Sequence, residues 1–269
     1  MKSCPLRLKR KKYLKKQNPE SNPKPGEERQ RRASNRMYIL AIDTSTRSCS
    51  AALIEDQNLR AELTIDTGET HSRHIMALID QVTGVAKAKI ADVDGFAVTC
   101  GPGTFTGLRI GMGTVKGLAM ALDKPVAGVS SLAALAVQAC CSDHLICSLI
   151  DARREQVYCR CYRCQDGESV RPCTPERVCS LQEAIGSIDE SAIFIGSGAL
   201  LYASHISEHL GSLARFAPFF QHTIRASTVA LLGRKKLISG DTEDLAGFVP
   251  AYLRKSDAEL NLEKQCPAP

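Results

Sequence analysis

Two stretches of the chain gather side chains that can do chemistry. Cys100 to Leu122, CGPGTFTGLRIGMGTVKGLAMAL, sets Gly101, Gly103 and Gly107 among the hydroxyls of Thr104 and Thr106 and then runs into an apolar helix. Glycines let backbone N–H groups turn inward at the positive end of a helix, which suits an anion, most often a phosphate. The Lys-Ser/Thr pair of a Walker A loop is absent, and the spacing misses the dinucleotide fingerprint. A purely structural strand-to-helix turn is the alternative. The second stretch is Asp43, at the end of the apolar run MYILAID and followed by Thr44, Ser45 and Thr46. A carboxylate and three hydroxyls in one bend suit a phosphate or metal-phosphate contact, although these residues are also ordinary turn formers.

Other constellations are weaker. His71 and His74 are one helical turn apart and could share a metal, but no third ligand is evident nearby, so a solvated or capping pair is favoured. Cys159 and Cys161 fall on one side of an apparent strand, with Cys164 and Cys173 following; this single cluster lacks the paired knuckles of zinc sites. Ser130, Ser131 and Cys100 have no matched histidine base, which speaks against a peptidase. No metal site and no catalytic residue is expected.

These residues must be placed by alternating strands and helices, the pattern of an α/β domain. Met37–Asp43, Cys49–Ile54 and Leu59–Asp66 read as three antiparallel strands. Ile75, Leu78, Ile79, Val82 and Val85 recur at helical spacing in a helix begun by Thr70 or Ser72. Val93–Cys100, the glycine segment, a strand at Pro125–Val129 and a small-residue helix complete the first half. The plan then repeats: Leu145–Asp151 again ends in Ile-Asp, Val157–Tyr162 returns, and Ala192–Ile195 feeds GSGALL and a helix. The expected domains are residues 37–142 and 143–255, followed by a flexible tail at 256–269. Each half, at about 100 residues, is large enough for its own core. Ser227–Ser239 reads as a closing helix, with Arg254 and Lys255 exposed beyond it.

Charge divides the chain differently. The formal net charge is +6, yet residues 1–36 hold 13 Lys/Arg against 3 Glu, leaving a mildly acidic body. This basic extension has almost nothing to bury and is expected to be disordered. It is either an arm that holds RNA by counterion release or a segment upstream of a true start at Met37, the latter favoured because a strand begins there. No apolar run approaches the roughly 20 residues of a membrane span. Twelve scattered cysteines without a secretory signal predict reduced thiols and a cytoplasmic protein.

ILAIDTS at 39–45, HSRHIMALI at 71–79, GPGTFTGLRIGMGTVKGLA at 101–119, DARREQVY at 151–158 and PAYLR at 250–254 resemble, in order, the bacterial TsaB family of the actin, sugar kinase and Hsp70 superfamily. The resemblance spans Met37 to about Lys255. It implies a duplicated actin-like (ASKHA, RNase H-like) α/β fold of two subdomains with mixed sheets. It also implies a role in forming N6-threonylcarbamoyladenosine beside the anticodon of tRNAs that read codons beginning with A. In that family the protein does not catalyse. It pairs with its paralogue TsaD, which holds the metal and transfers the threonylcarbamoyl group, and a small ATPase, TsaE, joins them. TsaD-like proteins carry a His-x3-His metal pair where this chain has Ser131 and Leu135, and an apolar leucine cannot bind iron or zinc.

The resemblance further implies a helical interface with TsaD that involves His71, Ile75, Ile79, Val82, Gly107, Ile110, Gly111 and Thr114, with Ile75, Ile79 and Ile110 as candidates for its apolar centre. On that reading Ile79→Glu abolishes association and leaves the monomer folded. A homodimer is an option when TsaD is absent. No intrinsic cofactor is implied, while ATP or ADP at or near the partner interface is, with Asp43, Thr44, Ser45, Gly101, Gly103, Thr104 and Thr106 as candidate contacts. The competing reading is an ATP-dependent phosphotransferase or ATPase built on the same loop.

Overall fold

The computed structural model describes residues 36–140 and 143–254. The basic extension, apart from Arg36, and the expected tail at 256–269 lie outside the described residues. The first sheet contains β1 (Tyr38–Asp43), β2 (Cys49–Glu55), β3 (Asn58–Ile65), β4 (Gly95–Gly101) and β5 (Val126–Ser130) in the order β3-β2-β1-β4-β5. β1 to β3 form an antiparallel meander. β4 and β5 are parallel to β1 and are reached through α1 (His71–Val85) and α2 (Phe105–Leu122).

The second sheet is built from β6 (Leu145–Asp151), β7 (Gln156–Cys164), β8 (Val170–Pro172), β9 (Arg177–Ser180), β10 (Ala192–Ile195) and β11 (Ala214–Phe216). Its order is β11-β10-β6-β7-β8, with β9 paired to β7. β6, β7 and β8 are antiparallel, and β10 and β11 are parallel to β6. Followed from β3 to β5 in the first sheet and from β8 to β11 in the second, the two therefore have the same order and the same strand senses. The duplication is one of topology, and it is the actin-like plan. α3 (Ser131–Gln138), α4 (Leu181–Ile185), α5 (Ser197–Leu201), α6 (Ala203–Leu210) and α7 (Ala226–Ser239) complete the chain. β8, β9, α4 and β11 have no counterpart in the sequence reading, because elements this short carry too few turns or alternations to show a period.

Besides the apolar cluster that lies on each half's own sheet, a third joins the two. That cluster joins Ile39, Ala41 and Ala97 of the first sheet to Ile146, Ile150 and Tyr162 of the second, with Leu132, Leu135 and Val229 between them. Two outer clusters flank it, one beneath α1 and α2 and the other outside the second sheet. α7 belongs to the second half in sequence but is anchored on the first. Its opening N–H groups lack a local cap and are taken by Ser50 Oγ (3.0 Å, from Ala226) and Glu62 Oε1 (2.9 Å, from Ser227).

The expectation of uniformly reduced thiols needs correcting. The end of α3 and the end of β7 bring Cys140 and Cys164 within 5.0 Å at Cα, and the two form a disulfide.

Candidate functional site

The bend after β1 is built to hold α2. Asp43 Oδ1 accepts from Ser45 N (3.1 Å), Ser45 Oγ (2.6 Å) and Thr99 Oγ1 (2.7 Å), while Oδ2 is buried without a partner. Burial pushes the carboxyl above its usual range, against these hydrogen bonds. Thr44 Oγ1 donates to Gly107 O (2.7 Å), and Ser45 O accepts from Thr104 N (2.8 Å). Asp43, Thr44 and Ser45 are each at most 1% exposed. Asp43 and Thr44, expected as phosphate contacts, are thus buried, pin the helix entry and do not line the two cavities described below.

The glycines have a similar job. A Cβ at Gly103 would lie 2.3 Å from Ser45 O, one at Gly107 2.0 Å from Thr44 O, and one at Gly111 2.3 Å from Thr44 Oγ1. Gly101, at φ +130°, faces Ala251 O in the same way. The space a phosphate cradle would offer is filled by the chain's own bend and C-terminal segment. Thr104 caps α2, its Oγ1 accepting from Gly107 N (3.2 Å).

What remains open is a cleft of two adjoining cavities, about 290 Å³ and about 500 Å³, which share Thr104, Thr106, Asp151 and Arg153. Ser45, Thr46, His71 and Ile110 line the larger, and Tyr158, Arg154 and Arg254 the smaller. The DARRE turn is bent sharply into it: Arg153, Arg154 and Glu155 lie at φ 58°, 53° and 58°. For residues bearing a Cβ this left-handed backbone costs about 1–2 kcal/mol each. Asp151 Oδ1 accepts from Arg153 N (2.8 Å) and holds the turn. Arg254, expected to be exposed, is half-buried and donates to Ala152 O (2.8 Å). The arginines were not among the expected site residues; only their place in the DARREQVY and PAYLR segments marked them.

The helical face also differs from expectation. Ile75 and Ile79 are 2% exposed and Val82 0%, all packed on the first sheet, while Gly107 and Gly111 are closed on Thr44. They cannot be the centre of an outward surface, and Ile79→Glu would place an unpaired charge in the core. Ile110 and Thr114 are half-buried, and Thr114 Oγ1 donates to Ile110 O (2.8 Å). The large apolar residues that point outward on the same helices are Met76 (53% exposed), Val85 (73%) and Met120 (71%), with Gly113 and Gly117 opening on free space.

His71 and His74 part company. His71 Nε2 meets Thr46 O (2.9 Å), and His74 Nε2 meets Glu69 Oε2 (2.8 Å), an acidic partner the sequence reading missed. Among the described residues no group of three or more His, Cys, Asp or Glu could hold a metal ion. Cys159 and Cys161 face the outer cluster, whereas Cys164 points to the inner one and is tied to Cys140, so strand alternation splits the expected thiol set. Burial pushes the Cys100 thiol up to about 11. Ser130 Oγ caps α3 by accepting from Ala133 N (3.2 Å) and donates to Glu176 Oε1 (2.5 Å).

A family model described as TsaD, tRNA N6-adenosine threonylcarbamoyltransferase, matches residues 65–262. The tRNA threonylcarbamoyladenosine biosynthesis protein TsaB of Bacillus subtilis is 34% identical over 225 residues, which is 83% of this chain and 96% of that protein. The TsaB of Haemophilus influenzae is 30% identical, covering 81% and 94%. The solved structure of YeaZ from Pseudomonas aeruginosa superposes with a TM-score of 0.71 at 29% identity, over 81% of this chain and 100% of that one. No helix among the described residues is long and apolar enough to cross a membrane.

Proposed function

Because the chain belongs to the TsaB family of tRNA threonylcarbamoyladenosine biosynthesis proteins, we propose that it is the non-catalytic partner subunit of a TsaD-type threonylcarbamoyltransferase. It stabilises and activates that partner in forming N6-threonylcarbamoyladenosine beside the anticodon of tRNAs reading codons that begin with A. TsaE is the third component, and tRNA is met through the complex. The observation that carries the reading is the start of α3. Where a TsaD-like chain presents two histidines to a metal, Ser131 and Leu135 are 0% and 1% exposed and packed in the core. A leucine side chain has no donor atom, so this pair cannot replace the two imidazoles.

The docking face is the outer side of α1 and α2, where Met76 on the first helix and Met120, Gly113 and Gly117 on the second are exposed. Small residues let helices approach closely, and methionine adapts to an irregular partner surface. The same face serves a homodimer when TsaD is absent.

ATP or ADP, where the complex uses one, fits the mouth of the cleft rather than Asp43. Arg153, Arg254 and the Thr106 hydroxyl line that mouth and suit phosphate oxygens. The test is threonylcarbamoylation of tRNA by the TsaD-type partner with TsaE, with this chain present or omitted, alongside ATP turnover by this chain alone. Loss of modification on omission, and no turnover alone, is the expected result. Appreciable turnover by the isolated chain would favour the ATPase reading.

A further inference from the structure

On or beside β7, Cys147, Cys159, Cys161 and Cys179 face the outer cluster as free thiols. Cys147 on β6 stands directly opposite Cys161 on β7, their sulfurs 3.4 Å apart. Cys161 N donates to Thr174 Oγ1 (2.9 Å), and Cys161 O accepts from Cys173 N (2.8 Å), so both main-chain groups of Cys161 point away from β6. Cys147 and Cys161 are therefore a non-hydrogen-bonded antiparallel pair, the kind whose Cα atoms lie about 4.5 Å apart. That separation is inside the roughly 4.4–6.8 Å that a disulfide spans. Cys159 and Cys179 also have sulfurs 3.4 Å apart. Their register, however, sets Cys159 opposite Arg177 and Cys179 opposite Val157. Such a diagonal pair is about 7–8 Å apart at Cα, beyond the bridging range.

We propose that Cys147 and Cys161 form a redox-modification site, a dithiol that closes to a disulfide when a peroxide oxidises Cys161. Cys161 is the attacking group because it is half-buried, whereas Cys147 is 1% exposed. The Cys147 thiol, donating to the Cys161 sulfur, holds Cys161 below the ordinary thiol range, and the Thr174 hydrogen bond and the Arg177 charge act the same way. The same contact raises Cys147, which keeps its proton and serves as the resolving thiol.

In the reaction the Cys161 thiolate attacks one oxygen of hydrogen peroxide. The O–O bond breaks, and hydroxide leaves and takes up the proton released by Cys161. The product is a sulfenic acid on Cys161. The Cys147 sulfur then attacks that sulfur, the S–O bond breaks, and the departing hydroxide takes the Cys147 proton. Two thiols and one peroxide become one disulfide and two waters.

The full chain treated with hydrogen peroxide, alkylated and digested without reductant tests this by peptide mass mapping. The expected product is a Cys147–Cys161 cross-linked peptide, lost in Cys161→Ser and retained in Cys159→Ser. In Cys147→Ser the reaction stops at a sulfenic acid on Cys161 that dimedone captures. Cys173, which is exposed, reports that oxidant reached the protein. Oxidation of Cys173 without the Cys147–Cys161 link, or a Cys159–Cys179 link in its place, would overturn the proposal. The wild-type map stands even if a serine variant fails to fold.

Discussion

Ile79 and Met120 lie on neighbouring helices over one sheet, but one is 2% exposed and the other 71%. A charge at Ile79 would be buried without a partner, a change of the class that costs about 4–5 kcal/mol or more, whereas a charge at Met120 stays in water. The glycines of α2 divide in the same way. Gly107→Ala drives a methyl group into Thr44 O, and overpacking of that kind is expected to lower stability by about 1–3 kcal/mol. Gly113→Ala meets nothing within 4 Å and is expected to raise stability by about 0.5–1 kcal/mol through helix propensity. Urea denaturation of the two variants checks the opposite signs.

Asp43 gives a pH signature. A carboxyl whose pKa is raised on folding holds its proton more tightly in the native state, so its contribution is best at low pH. That contribution declines as pH rises from the ordinary value of 3.8 toward the raised native one. Asp43→Asn keeps one oxygen to accept from Ser45 and Thr99 and has no such titration. The melting temperature of Asp43→Asn relative to wild type should therefore climb as pH rises through this window. A difference independent of pH would contradict the assignment.

The element that changes the picture of the cleft most is the segment after α7. Ala251 N donates to Cys100 O (2.7 Å), and the Tyr252 ring stacks on Phe105 at 4.5 Å. Tyr252 Oη accepts from Arg109 Nε (2.8 Å), and Arg254 reaches Ala152. PAYLR thus straps the glycine loop and closes one wall of the cleft. Tyr252→Ala is expected to cost about 0.5–1.5 kcal/mol from the lost ring pair beyond the area it uncovers. Tyr252→Phe, which keeps the ring, should retain most of that, as chemical denaturation will measure.

Periodicity made the long elements readable in the sequence: β1, α1, α2, β6 and α7 lie within a residue or two of where apolar spacing puts them. It could not distinguish which glycines meet backbone and which meet solvent, since Gly107 and Gly113 look alike until the bend after β1 is placed against the helix. Nor could it say that Arg254 turns inward, because the carbonyl it binds is 102 residues away.

At the scale of the whole molecule, two copies of one topology carry different contents at the end of their first strand. The first copy ends β1 in a carboxylate sealed under hydroxyls, and the second ends β6 in Asp151, which holds an arginine turn. The shared core between the sheets ties the halves together, so the outer face of α1 and α2 is presented by a stiff body. Preorganised faces lose less freedom on association. The docking part of the proposal rests on that face, as its non-catalytic part rests on the start of α3.

The most direct test is co-purification of the TsaD-type partner with the Met76→Glu/Met120→Glu chain, with thermal unfolding measured on the same preparation. The account predicts an unfolding midpoint close to wild type together with loss of the partner. Undiminished association by the folded double variant would contradict it.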